Sequence, residues 1–95
     1  MERFEVAHIR EQGVDLIIVL VNDTFRFKSN IEQNQTRNAL QLCARSAGLA
    51  GTVVPVWDAG GGRMGFLAPP SYHAFFSSID LAFVGANINR ELSCG

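Results

Sequence analysis

The chain has 95 residues, of which 47% are apolar and 18% charged, with a net charge of −1. That length suits one domain around one core, and high hydropathy with so little net charge excludes intrinsic disorder. The longest apolar run, residues 16–21, is far short of the ~18–20 residues that span a bilayer, and Glu2 and Glu5 stand where a secretory signal needs a basic start.

Taken in chain order, residues 3–10 alternate as a strand, with Phe4, Val6 and His8 on one face. Glu11-Gln12-Gly13 reads as a turn, and residues 14–21 follow, apolar at every position except Asp15. Such an aliphatic run fits a central strand covered on both faces. After a loop containing Phe25-Arg26-Phe27-Lys28, the sequence Ser29-Asn30-Ile31-Glu32 forms a capping box that opens a helix. Thr36, Ala39, Leu40, Cys43 and Ala47 make its apolar stripe, with Leu42 beside it, and Gly48-Leu49 completes a Schellman ending.

Residues 52–57 are β-branched and strand-like, but Pro55 lacks an amide donor and places the strand at an edge or at a bulge. Asp58-Ala59-Gly60-Gly61-Gly62 reverses the chain into a strand over residues 63–68. Pro69-Pro70 opens a second helix, on which Tyr72, Phe75, Phe76 and Ile79 recur at i, i+3, i+4 and i+7. Residues 81–88 alternate weakly as a last strand, and a polar tail follows from Asn89. The expected fold is an α+β, two-layer sandwich in ββαββαβ order. It is a variant of the ferredoxin-like plan, with a mostly antiparallel sheet of about five strands and two helices on one face.

No residue pattern points to catalysis. Asp58, Ser71, His73 and Asp80 are the residue types of an acid–base or nucleophilic site, yet nothing in their spacing brings them together. Two distant histidines and two distant cysteines do not give a metal-ligand spacing. No cofactor motif accompanies them. Cys43 and Cys94 read as reduced thiols, Cys43 within the core, in a cytoplasmic protein.

Three functional readings remain. Between Ser46 and Asn89 the only charged residues are Asp58, Arg63 and Asp80, while that stretch carries Trp57, Tyr72 and Phe66, Phe75, Phe76 and Phe83. A surface so poor in charge marks an interface, so Trp57, Met64, Phe66 and Tyr72 are its candidate residues in a homodimer or with another protein. The second reading is a small anion held by Gly60, Gly61, Gly62 and Arg63, with Asp58 and His73 nearby. A phosphate loop normally leads into a helix, and this one leads into a strand. The third is RNA contact through Arg26, Lys28 and the neighbouring phenylalanines, which the missing basic footprint opposes.

Overall fold

The structure, a computed structural model, describes residues 2–94. Its elements are β1 (Glu2–Glu11), β2 (Val14–Leu20), α1 (Asn30–Ser46), β3 (Thr52–Gly60), β4 (Arg63–Phe66), α2 (His73–Ser78), α3 (Leu81–Ala86) and β5 (Arg90–Cys94). Short 3-10 turns lie at Asp23–Phe27 and Pro70–Tyr72. Five strands form one mixed sheet in the order β4-β3-β2-β1-β5. β2 and β3 run parallel, joined by α1, and every other pairing is antiparallel.

The side-chain alternation of the strands divides the core in two. Val6, Ile17, Val19, Val53 and Leu92 point to the face that α1 covers with Leu40 and Ala44. Ala7, Leu16, Ile18, Val54 and Val56 point to the other face, where Phe76 of α2 and Val84 of α3 close over them. The molecule is therefore three layers deep, and the expected two layers with both helices on one face are corrected. The physical reason is β2, whose residues Leu16 to Val19 are all buried and need cover on both sides.

The strand order also departs from the ferredoxin-like plan, in which another strand would separate β2 from β3. Here the two are direct neighbours, as in a simple βαβ unit.

α1 begins and ends as its sequence dictates. The Ser29 hydroxyl accepts from the Glu32 amide at 3.1 Å and the Ser29 amide donates to the Glu32 carboxylate at 3.2 Å. At the other end Leu49 N–H donates to Ala44 and Gly48 N–H to Arg45, both at 2.9 Å, with Gly48 at φ 81°. These are the two bonds of a Schellman motif.

Pro55 lies in an interior strand and is fully buried. The antiparallel pairing of β4 with β3 ends there: the Pro55 carbonyl still accepts from the Leu67 amide at 3.0 Å, but proline has no amide to return the bond, and the paired residues begin at Val56. Two residues earlier, the Val53 amide is taken up at 2.9 Å by the Gln41 side chain instead. The irregularity in β3 lies farther along, between Asp58 and Gly60.

The last quarter of the chain differs most from the sequence reading. Residues 81–88, expected as a strand, contain α3, because the Asp80 carboxylate caps the Phe83 amide at 2.9 Å. The expected tail instead supplies β5, which pairs with the outer edge of β1 through Leu92 opposite Phe4. The second helix is also shorter than its stripe. A 3-10 turn precedes it, and the backbone becomes extended at Ile79.

Cys43 and Cys94, 51 positions apart in sequence, form a disulfide with Cα atoms 5.9 Å apart. The expectation of two reduced thiols is thereby corrected. Closing a span of that size stabilises the fold by roughly 4 kcal/mol on a chain-entropy account. Among the described residues, no helix is long and apolar enough to cross a membrane.

Two predictions follow from these contacts. A methyl group at Gly65 would occupy the place of the Trp57 ring, which lies against it across the strand pair. Gly65→Ala should cost about 1–3 kcal/mol in urea unfolding and red-shift the Trp57 emission as the ring is displaced. Separately, the hydrogen bonds from the Ser29 backbone and side chain hold the Glu32 carboxyl below its ordinary value of 4.5. A depressed folded value stabilises above the unfolded value, and that contribution is lost as pH falls through the folded one. The stability gap between wild type and Ser29→Ala should accordingly narrow as urea melts are taken to acid pH.

Candidate functional site

The β3–β4 turn is built from Gly60, Gly61 and Gly62, at φ 87°, 60° and 77°. A non-glycine residue is strained at such angles, so the run of glycine is what the reversal needs. The Asp58 carboxylate accepts from the Gly60 amide at 2.8 Å, and Arg26 donates to the Ala59 carbonyl at 2.9 Å. An acid of the chain thus already occupies the amide that an anionic ligand would use. Arg63 is exposed beside it.

His73 lies beyond the far end of β4. Its Nε2 is 2.8 Å from the Ala68 carbonyl oxygen, and its ring meets Phe66 edge-on with centroids 5.4 Å apart. The four residues of β4 separate this region from the glycine turn by ~10 Å of extended chain. Asp80 caps α3. Asp58, His73 and Asp80 therefore hold three separate local structures. Among the described residues, no group of three or more His, Cys, Asp or Glu side chains is placed to hold a metal ion.

The four interface candidates divide between the two faces of the sheet. Trp57 is only 8% exposed, on the α1 face, where Phe25 packs on it with centroids 4.9 Å apart. Met64, Phe66 and Tyr72 are half-buried on the opposite face around Phe76. The phenylalanines of the charge-poor half follow the same pattern. Phe76 is buried, and Phe75 and Phe83 pack edge-on beside it or each other.

The large apolar side chains that do face solvent lie in the first half of the chain. Phe27 is 75% exposed, Ile31 71% and Leu42 64%. Phe25 folds inward, whereas Phe27 turns outward with the Arg26 guanidinium 4.7 Å above its ring. Leu42, expected beside the apolar stripe, faces outward; the signal for this is that it is two positions from the buried Leu40, a rotation of ~200° around a helix. Ile31 carries the same signal, nine positions before Leu40 and therefore a rotation of ~180° from it.

On α1, Ile31 and Leu42 are eleven positions apart, which places them ~16 Å apart and within ~20° of one line along the axis. Gln35 and Asn38 lie on that line between them and are exposed. The stripe has few charges near it. Glu32 is engaged in the capping box, and Arg37 donates to the Asn38 side-chain oxygen at 2.7 Å. Beside Leu42 an open recess of about 840 Å³ is lined by Glu2, Ala39, Cys43, Ser46, Ser93 and Cys94. A smaller recess of about 470 Å³ lies between the β1–β2 turn and α2, lined by Glu11, Gln12, Val14, Tyr72, Phe75 and Ser78.

Comparison with protein-family models, with curated proteins and with solved structures finds no match to this chain.

The local roles of the turn residues have a direct test. Asp58→Ala should lower stability by about 1 kcal/mol through the lost bond to Gly60. Arg63→Ala should leave it within about 0.5 kcal/mol of wild type, both read from chemical unfolding.

Proposed function

We propose that this protein is a non-enzymatic domain that self-associates as a two-fold dimer through the outer face of α1. The observation that carries the reading is the pair of exposed aliphatic residues, Ile31 and Leu42, on one stripe of a helix. They stand symmetrically about the midpoint between Gln35 and Asn38. An antiparallel second copy would set Ile31 against Leu42 at both ends and Gln35 against Asn38 at the centre. That is the self-complementarity a two-fold interface requires. The free amide N–H of Asn38 can donate to Gln35 of the second copy, because Arg37 occupies only the oxygen.

This reading keeps the dimer expected from the composition and moves its surface. The charge-poor half spends its aromatic rings on its own second core, so it offers less apolar area than its sequence suggests. A single helix face is a small interface, and the dimer should dissociate at micromolar concentration. The disulfide favours work in an oxidising compartment over the cytoplasm expected from the sequence, because thiols stay reduced in the latter.

A second reading has one specific observation behind it. Phe27, with Arg26 over its ring and Lys28 beside it, is an exposed stacking platform of the kind that contacts single-stranded RNA. Binding that is absent, or indifferent to salt, would remove it.

Sedimentation velocity across a concentration series tests the dimer. Wild type should shift from monomer to dimer, and Ile31→Glu or Leu42→Glu should stay monomeric throughout. Met64→Glu should dimerise like wild type. A wild type that remains monomeric at ~100 μM, well above the expected dissociation range, would sink the proposal. So would a dimer that tolerates both glutamates.

A further inference from the structure

β1 is one continuous strand with two different neighbours. Its residues from Val6 to Glu11 pair with β2, whereas Glu2 to Val6 pair with β5. Among the described residues, then, Glu2 to Glu5 and Arg90 to Cys94 form a two-stranded ribbon that projects past the end of β2. Isolated two-stranded ribbons are marginal in water.

Apart from the disulfide, the ribbon is tied to the body mainly through two apolar side chains. Leu92 is buried and Phe4 half-buried beneath α1, but the remaining side chains of β5 are exposed or only partly covered. The Arg3–Glu91 ion pair, at 3.8 Å, lies in solvent on both sides and adds little. At the base of the ribbon the chain is pinned more firmly. The Asn89 side chain accepts from the His8 amide and donates to the His8 carbonyl, both at 2.9 Å, and the Asn89 amide donates to Val6 at 3.0 Å. Past that point the strongest link is covalent: Cys43 of α1 bonded to Cys94 of β5. Both cysteines line the open recess beside Leu42, so the bond can be reached from solvent.

We infer that the Cys43–Cys94 disulfide is a reducible latch that holds the ribbon of residues 2–5 and 90–94 against α1, and that a dithiol reductant releases it. A thiolate of the dithiol attacks one sulfur and forms a mixed disulfide. Its second thiol then closes the donor's own disulfide. Two electrons and two protons pass to the protein, which is left with Cys43 and Cys94 as thiols. The ribbon then hinges at its base, at Val6 on β1 and Asn89 before β5, uncovering Leu92, Phe4 and the apolar underside of α1. The latch does not depend on the dimer, since its bond and the ribbon belong to one chain.

Hydrogen–deuterium exchange tests the latch on the full chain, oxidised and after reduction by dithiothreitol with iodoacetamide capping. The expected result is that amides of residues 2–5 and 90–94 exchange at least about tenfold faster after reduction and open ahead of those of Ile17, Ile18 and Val54, which lose no more protection than removal of the cross-link takes from the fold as a whole. A bond that dithiothreitol opens only in denaturant would overturn the inference, as would unchanged exchange in the ribbon. A uniform loss of protection across the sheet would also overturn it, because the disulfide would then be a staple of the whole fold. The double variant Cys43→Ala/Cys94→Ala should reproduce the reduced pattern without reductant, and its failure to fold counts with the uniform loss.

Discussion

The architecture depends on the need of β2 to be dry on both faces. Four consecutive residues, Leu16 to Val19, point alternately up and down and are all buried. One helix can cover only one side of a strand, so the chain must place apolar cover twice. α1 does this once, directly, because it follows β2 and leads into the neighbouring parallel strand. The second cover comes late, from α2 and α3, two helices of six residues each. Neither could persist alone at that length. They are held by Phe76 and Val84, which are inserted into the sheet's far face.

This division explains what became of the aromatic residues. A sequence with so few charges after α1 suggests a wet surface that is too apolar. That holds for a molecule with one core. With two cores in a chain this small, the share of residues that must point inward rises, and Phe66, Tyr72, Phe75 and Phe83 are drawn around Phe76. Trp57 goes the other way, over Gly65 and under Phe25. The apolar excess was real, and it was used for lining a second interior.

The legible parts of the fold were those governed by short-range chemistry. α1 could be bounded to the residue because its capping box and Schellman ending are local patterns whose partners lie within six positions. β2 was legible because continuous burial leaves a continuous aliphatic run. Pro55 marked a true feature, the point where the ladder between β3 and β4 ends, although β3 is an interior strand and not an edge. What could not be read was pairing at long range. Residues 81–88 alternate weakly enough to pass for a strand, and only the Asp80 cap separates them from one. Whether the edge of β1 would be taken by those residues or by Arg90–Cys94 depends on tertiary fit, with Leu92 in phase with Phe4. The disulfide was hidden for the same reason, since a separation of 51 positions carries no geometric information. At the glycine turn, sequence supplied the right residues for either a hairpin or an anion cradle. The Asp58 carboxylate on the Gly60 amide is a contact that only the folded chain reveals.

The same reasoning ranks the surfaces that remain. An exposed apolar side chain means little singly. Ile31 and Leu42 gain weight from a relation between them: equal distance from a common centre along a helix with few free charges. The glycine turn lacks such a relation, because its best donor is already satisfied within the chain. His73 lacks it too, since its Nε2 is engaged by Ala68 and its ring by Phe66. With the glycine turn and His73 both engaged within the chain, the outward stripe of α1 is the surface that the proposed association would use.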